Sequence, residues 1–226
     1  MKKQWCIGAI TAEYLARMED LLHLYHLPLD EKRPVVCFDE LPVQLIGEVV
    51  APLPMKAGKA ERFDYEYERG GVACLLVAFE PLTGKRVVET SPRRKKSDYC
   101  RFQQQVVATW ANAEKIVLVQ DNLNTHNASS FYENLPPEEA FTLAQKFEMH
   151  YTPKKGSWLN MAELELSAIS RICLSRRIKT IEELDREVQA IVKERNELKI
   201  KVEWQFSITQ ARERLSRHYE KVKTKN

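Results

Sequence analysis

A mixed α/β fold follows from three features of the sequence: apolar runs that end in acids, a hairpin-rich first half, and amphipathic helical stretches that take over toward the C-terminus. Strands come first, then strand and helix alternate, then helices stand alone. That order implies a mixed sheet with helices packed on it. The chain has 226 residues, 44% apolar and 30% charged, with no internal repeat. It is long enough for one generous domain, or one domain with a helical extension, around a sizeable core.

Each element has a local reason. Tyr14, Met18, Leu21 and Tyr25 recur at helical spacing over 11–25, with Leu15 and Leu22 widening the stripe, and Pro28 stops it. Pro34-Val-Val-Cys-Phe-Asp39 is a continuous apolar run of the buried-strand type, and 44–50 predicts a second, more exposed strand. Pro52, Pro54 and Gly58 mark 51–63 as a loop. Tyrosine alternates with acids over 64–69, which suits an edge strand. Gly70-Gly71 predicts a turn or bulge before the apolar strand 72–79. Pro81-Leu-Thr-Gly84 matches a tight turn, from which 85–90 returns antiparallel. Phe102, Val106 and Trp110 at steps of four predict a helix over 97–112. Ile116-Val-Leu-Val-Gln-Asp121 is a second buried strand ending in an acid. Residues 137–147 read as a helix with Pro137 near its first turn. Then come a short strand or loop at 148–152 and a helix from Ser157 or Asn160 to about Arg177. Thr180 with Glu183 forms a capping-box pattern ahead of Ile181, Leu184, Val188 and Ile191, and 207–219 is the last helix. A hairpin-rich start followed by a parallel crossover fits a ribonuclease H-like sheet, among several mixed folds that the order allows.

The net charge of +3 names no partner by itself. Its distribution says more. Arg93, Arg94, Lys95 and Lys96 form a basic knot, Arg171, Arg176, Arg177 and Lys179 a second, and Lys221, Lys223 and Lys225 end the chain. Such patches bind phosphate backbones, although most charge runs are solvated faces. The five cysteines, Cys6, Cys37, Cys74, Cys100 and Cys173, are scattered, with no Cys-x-x-Cys. This is a reduced, cytosolic pattern in which Cys37, Cys74 and Cys173 serve as small core residues. No signal peptide follows Met1-Lys2-Lys3. No apolar run approaches the roughly 18 residues of a membrane span.

Two buried strands end in Asp39 and Asp121, where side chains commonly build active sites. Carboxylates brought together repel, and a divalent cation removes that cost. Magnesium takes one or two carboxylates plus water and phosphate oxygens, which suits phosphodiester cleavage by a metal pair. The competing role is structural: a strand-terminal Asp also caps turns, and Asn122 and Asn124 are turn formers. A third carboxylate is offered by Glu163 or Glu165. Leu159, Ala162, Leu166, Ile169 and Cys173 form the core stripe of their helix. The Glu163 flank carries Asn160, Ser167 and Ser170; the Glu165 flank carries Met161 and Ile172. A metal needs a wet edge, which favours Glu163, although Asn160 and Glu163 also match a capping box. His23 and His26 read as partners of a helix C-terminus. His126 either contacts DNA or orients a carboxylate. Three gathered acids repel one another, so Asp121→Asn is expected to melt no lower than the wild type.

Val35-Val-Cys-Phe-Asp-Glu40, Leu118-Val-Gln-Asp-Asn-Leu-Asn-Thr-His126 and Tyr151-Thr-Pro-Lys-Lys-Gly-Ser-Trp-Leu-Asn-Met-Ala-Glu163 resemble the three signature blocks of bacterial insertion-sequence transposases of the mariner-like superfamily. Asp64-Tyr-Glu-Tyr67, Leu174-Ser-Arg-Arg177 and Ala211-Arg212 are similar to further blocks, so the resemblance runs from about Gln4 to Tyr219. It implies a ribonuclease H-like DDE catalytic domain over 31–178, a helical lead-in at 1–30, and C-terminal helices over 179–226 packed on the core. It implies hydrolysis at transposon ends with magnesium or manganese, as two ions, then attack of the freed 3′-hydroxyl on target DNA. The catalytic and metal-binding roles fall on Asp39, Asp121 and Glu163, with an extra segment around 133–146 in the long second interval. The implied partners are double-stranded DNA and a second copy of the chain in an active homodimer. Arg93, Arg94, Lys95, Lys96, Lys154, Lys155, Asn122 and His126 are the expected DNA contacts. Lys155 stands where the resemblance leads one to expect histidine and would add a phosphate contact. Full-length relatives carry helix-turn-helix modules ahead of the catalytic domain, whereas 11–25 supplies one helix. A separate helix-turn-helix partner is therefore an expectation. The competing functions are a truncated, non-catalytic remnant that binds DNA or full-length transposase and regulates it, and a stand-alone nuclease of the same fold. The expected place is the cytoplasm, with the nucleoid when bound to DNA.

Overall fold

The computed structural model describes residues 10–62 and 64–223; Met1–Lys3, Cys6 and Lys225 lie outside the described residues. The chain runs α1 (Ala12–Leu24), β1 (Val35–Glu48), β2 (Tyr67–Glu80), β3 (Lys85–Ser91), α2 (Lys96–Thr109), β4 (Ile116–Gln120), α3 (Ser129–Tyr132), α4 (Pro137–Gln145) and β5 (Phe147–Tyr151). After β5 come a 3₁₀ turn (Ser157–Leu159), α5 (Ala162–Cys173), α6 (Ile181–Glu197), α7 (Ile208–Arg214) and α8 (Ser216–Lys223). The strands form one sheet in the order β3-β2-β1-β4-β5. β1, β2 and β3 pair antiparallel, and β4 and β5 extend the sheet parallel to β1. A three-stranded meander enlarged on one edge by parallel crossovers is the ribonuclease H-like arrangement. Among the described residues no helix is long and apolar enough to cross a membrane.

Strand alternation decides which side chains meet which layer. Val36 and Phe38 of β1 and Ile116 and Leu118 of β4 pack with Tyr99, Phe102 and Val106 of α2 and with Phe131 and Leu143 beyond it. The alternate residues Cys37, Val117 and Val119 pack under α1, with Leu159, Met161 and Ala162. Farther along that same face, Val43, Leu45, Leu75 and Val77 meet α5 and α6 through Leu166, Ile169, Leu184 and Val188. Helices therefore cover both faces, and Cys37, Cys74, Cys100 and Cys173 are buried free thiols.

Several boundaries differ from the sequence expectation. The two strands expected at 34–39 and 44–50 are one, running through Pro42. β4 pairs with β1 only from Val35 to Cys37, so farther on β1 has β2 as its one partner and a missing N–H is tolerated. Gly70-Gly71 is the expected irregularity inside a single strand, at a register shift opposite Leu45 and Ile46. A side chain at Gly70 would meet the Lys179 carbonyl at 1.9 Å, because the chain entering α6 crosses there and the Ile178 carbonyl accepts from the Ile46 N–H at 2.9 Å. The helix expected to reach Arg177 stops at Cys173, the last helix divides at Leu215, and α3 went unforeseen. Thr180 caps α6 through the Glu183 N–H at 3.2 Å, while the Glu183 carboxylate turns to Arg176, so the box is half formed.

One buried ionic cluster ties α5 to the far edge of the sheet. Glu165 is 1% exposed, and its two oxygens accept from Arg195 Nε and Nη2 of α6 at 2.8 and 2.9 Å. Arg86 Nε of β3 stands 3.1 Å from the same carboxylate. Asn196 of α6 accepts from the Arg86 N–H and donates to its carbonyl, at 2.9 and 3.0 Å. Removing one partner of such a cluster strands buried charge. Glu165→Ala should cost about 3–5 kcal/mol, read as a lower urea midpoint, whereas Glu163→Ala should stay within about 0.5 kcal/mol of the wild type. Equal losses for the two would contradict this division.

Candidate active site

The register of two strands brings two acids together. In the parallel β1–β4 pair Cys37 stands beside Val119, so Asp39 and Asp121, each two residues farther on, lie on neighbouring strands, Asp39 within β1 and Asp121 just past the end of β4. Neighbouring strands lie roughly 4.8 Å apart. Alternation also gives both acids the face on which Cys37 and Val119 meet Leu159, Met161 and Ala162. That segment carries the third acid. Tyr25 Oη donates to the Leu159 carbonyl at 2.6 Å. Asn160, buried, donates from Nδ2 to the Phe38 carbonyl at 2.8 Å and to Asp39 Oδ2 at 3.3 Å, while its Oδ1 accepts from the Ala162 N–H at 3.1 Å. One amide thus clamps the end of β1 to the start of α5. The capping box weighed for Asn160 and Glu163 does not form: Met161 occupies the N-cap, and Asn160 Oδ1 accepts from the Ala162 N–H instead of from Glu163.

Glu163 and Glu165 part company as the helix geometry requires. Glu163 is half-buried and lines a cleft of about 390 Å³ together with Asp39, Glu40, Ser167, Ser170 and Arg171. Glu165 is held on the opposite side by Arg86 and Arg195. Two larger grooves, about 640 Å³ along β3 and α6 and about 820 Å³ near Pro34 and Trp110, touch none of the three candidate acids. Among the described residues no three His, Cys, Asp or Glu side chains close on a single point. Asp39 and Glu163 line one cleft, and Asp121 lies on the strand beside Asp39.

Their electrostatics differ. Burial pushes the Asp39 carboxyl up to about 7; the Glu40 N–H at 2.8 Å opposes the rise, and the charges of Asp121 and Glu163 add to it. Burial alone would raise Asp121, but the hydrogen bond and the charge of His126, with the Leu123 N–H, together hold it below the usual carboxylate range. Burial alone would lower His126, but Asp121 and Glu40 raise it to about 9, with Glu40 Oε2 at 3.6 Å from Nε2. The imidazole stacks on Tyr99 at 5.1 Å and meets Phe38 edge-on at 5.0 Å. It is 1% exposed, so the expected DNA contact at His126 is corrected: aromatic rings wall it off, and it orients Asp121.

Of the remaining expected DNA contacts, Arg93, Arg94, Lys95, Lys154, Lys155 and Asn122 are exposed. Arg94 reaches Glu40 at 3.3 Å, and Lys96 pairs with Glu133. Lys155 has φ 65°, an uncommon backbone for a residue other than glycine. The sequence reading missed the parts played by Glu40 and by Asn160. A polar residue two positions before a helix, beside an apolar strand end, was the available signal for Asn160. Glu40 had no signal beyond its adjacency to Asp39.

A family model described as DDE superfamily endonuclease matches residues 34–185. No curated protein matches the chain. The fold is similar to solved structures of the Mos1 mariner transposase. The paired end complex with Mn aligns at 15% identity and TM-score 0.48 over 88% of this chain and 67% of that one. The strand transfer complex aligns at 16% and 0.49, over 88% and 66%. The Mos1 catalytic domain aligns at 12% and 0.48, over 87% and 96%. The chain thus spans about two thirds of the Mos1 chains in those complexes and nearly all of the catalytic domain.

Opposite pH signatures follow for the two aspartates in metal-free protein. Asp39 binds its proton more tightly in the native state than in the unfolded chain, so ionising it costs the fold as pH rises from about 4 to about 7. Asp39→Asn should gain on the order of 1–3 kcal/mol at pH 8 and nothing near pH 4. Asp121 is the reverse: its stabilisation is present above the ordinary carboxylate pKa and fades as pH falls through the lowered native value. Asp121→Asn strands the buried His126 and should melt below the wild type at pH 7, contrary to the expectation from repulsion alone. Melting curves of both variants with a chelator across pH 4–8 check this; shifts of the same sign at pH 8 would refute it.

Proposed function

The chain belongs to the DDE superfamily of endonucleases, and from that premise we propose that it is the catalytic domain of a DNA transposase, with Asp39, Asp121 and Glu163 as its catalytic carboxylates. The observation that carries the residue assignment is the separation of the two candidate glutamates. Glu163 shares a cleft with Asp39, and Glu165 is consumed by two arginines. The catalytic unit is taken as 31–178, with 1–30 leading in and 179–226 packed against it.

The donor set suits a hard divalent cation. It offers only carboxylate oxygens, and the raised Asp39 carboxyl, pushed up first by burial and then by the charges of Asp121 and Glu163, is one that a cation would relieve. Asp39, Asp121 and Glu163 are the residues that would hold magnesium or manganese, as two ions in this reading. Such ions, when bound, supply Lewis-acid polarisation of the scissile phosphate and an activated water or 3′-hydroxyl. The protein's own work is positional. Asp39 is fixed through Oδ1 by the Glu40 N–H and through Oδ2 by Asn160. Asp121 is fixed through Oδ1 by His126 and the Leu123 N–H, which leaves Oδ2 for a ligand. Glu163 has no hydrogen bond from its carboxylate among the described residues, and α5 holds it against the cleft.

Double-stranded DNA is the substrate in this reading, with Arg93, Arg94, Lys95, Lys154 and Lys155 on phosphates around the acids. The active form is a homodimer, served by a helix-turn-helix module from a longer chain or a separate partner, in the cytoplasm and on the nucleoid.

The test is nicking of supercoiled plasmid with magnesium or manganese, paired with melting. The wild type should nick only with the ion and melt higher in its presence, since a ligand bound by the native state alone stabilises it. Glu163→Gln is the cleaner variant, because Asp121→Asn also breaks the His126 contact. It should lose the metal-induced shift and roughly 10²–10⁴ of the nicking rate. A wild type with neither metal response nor nicking, when a DNA-recognition module is supplied, would replace this reading with the non-catalytic one.

A further inference from the structure

We propose that Arg171 is a phosphate contact that seats the DNA strand in the cleft beside the catalytic acids, a few nucleotides from the scissile bond. The proposal rests on the endonuclease reading above and extends it to the part of the cleft that the acids do not occupy.

The wall of the cleft is one helix. Glu163, Ser167, Ser170 and Arg171 of α5 line it in succession, opposite Asp39 and Glu40 of β1. Eight residues of helix separate Glu163 from Arg171, a rise of about 12 Å. The cleft is thus graded: carboxylates gather at one end, two hydroxyls follow, and Arg171, the one cation among the described residues that line it, stands at the other end. A strand that presents its scissile phosphate to the acids carries further phosphates past the hydroxyls toward the guanidinium. Serine hydroxyls donate to phosphate oxygens without adding charge, and a guanidinium grips phosphate with two parallel N–H donors.

The neighbouring cations show that Arg171 stands apart. Of the basic cluster 171–179, Arg176 pairs with Glu183 and Glu187 at 2.8 and 3.0 Å. Arg177 pairs with Glu48 at 2.7 Å and donates to the carbonyls of Asp64 and Glu66. Lys179 pairs with Glu68. These three tie the approach to α6 onto β1 and β2. Arg171 is exposed and makes no ion pair among the described residues. Position in the last turn of α5 gives it one structural use, as a cation at a helix C-terminus. That use alone predicts a small stability effect and no effect on DNA.

The experiment measures binding of the full chain to a fluorescent duplex oligonucleotide by anisotropy, across a salt series, with a chelator and with manganese. Arg171→Ala should lose roughly tenfold in affinity near 0.1 M salt and reduce the salt slope by about one, with an unchanged melting temperature. Arg171→Lys should keep the slope. A second arm uses pre-nicked duplexes with single uncharged methylphosphonates stepped away from the nick. The wild type should be weakened by one of them within a few nucleotides, and Arg171→Ala should be indifferent to that one. If the wild type binds and nicks while Arg171→Ala matches it in affinity, slope and methylphosphonate response, Arg171 is only a helix-end cation and this inference falls by itself. If the wild type neither binds nor nicks duplex even when a DNA-recognition module is supplied, this inference and the endonuclease reading fall together.

Discussion

Three residue pairs of parallel strand set the site. β1 and β4 touch only from Val35–Val117 to Cys37–Val119, yet that register fixes which side chains leave the sheet together. A slip by one residue would send one aspartate to the α2 face, against Phe38 and Tyr99, and dissolve the site. The register is secured from both faces. Val36 and Leu118 belong to one core, and Cys37, Val117 and Val119 to another, so any slip exchanges two packed layers. The chemistry at the sheet end is thus underwritten by burial well away from it.

The other half of the constraint is α5, which must serve the core and the cleft at once. Leu166 and Ile169 face the sheet, and the glutamates on either side meet opposite fates. Glu165 is buried and therefore had to be paired, and Arg86 and Arg195 supply the pairing from β3 and α6. Glu163 borders the opening and carries no such obligation. The Glu165 cluster also holds the helix in rotation, which keeps Glu163 aimed. A 100° turn of α5 would break the bidentate contact of Glu165 and carry Glu163 out of the cleft at the same time.

The sequence made much of this legible because periodicity is written residue by residue. The buried strand that ends just before Asp121, the helix over Ile181–Glu197 and the opposite flanks of Glu163 and Glu165 all came from patterns within a dozen residues. Pro42 misled, because a proline reads as a break until the strand's other edge is known to be free. His126 misled for a similar reason. Its neighbours in sequence are polar, Asn124, Thr125 and Asn127, whereas its neighbours in space are Tyr99 and Phe38. Burial by distant aromatic residues leaves no trace in local composition. The basic clusters were legible as charge and illegible as function, because the acids that neutralise Arg176, Arg177 and Lys179 lie on other elements.

His126 also explains why the two aspartates on neighbouring strands do not behave alike. Its ring is held between Tyr99 and Phe38, so it does not swing to follow a carboxylate; the carboxylate comes to it. Asp121 is thereby oriented and kept ionised at the expense of one oxygen. Asp39, gripped by the Glu40 N–H and the Asn160 amide, holds its proton until near neutrality because burial, and then the charges of Asp121 and Glu163, push it up. A cation approaching these two acids meets one carboxylate already set in place and another that gains most from its arrival. Local order and local electrostatic strain are thus divided between neighbouring strands, and the buried imidazole is the residue that divides them.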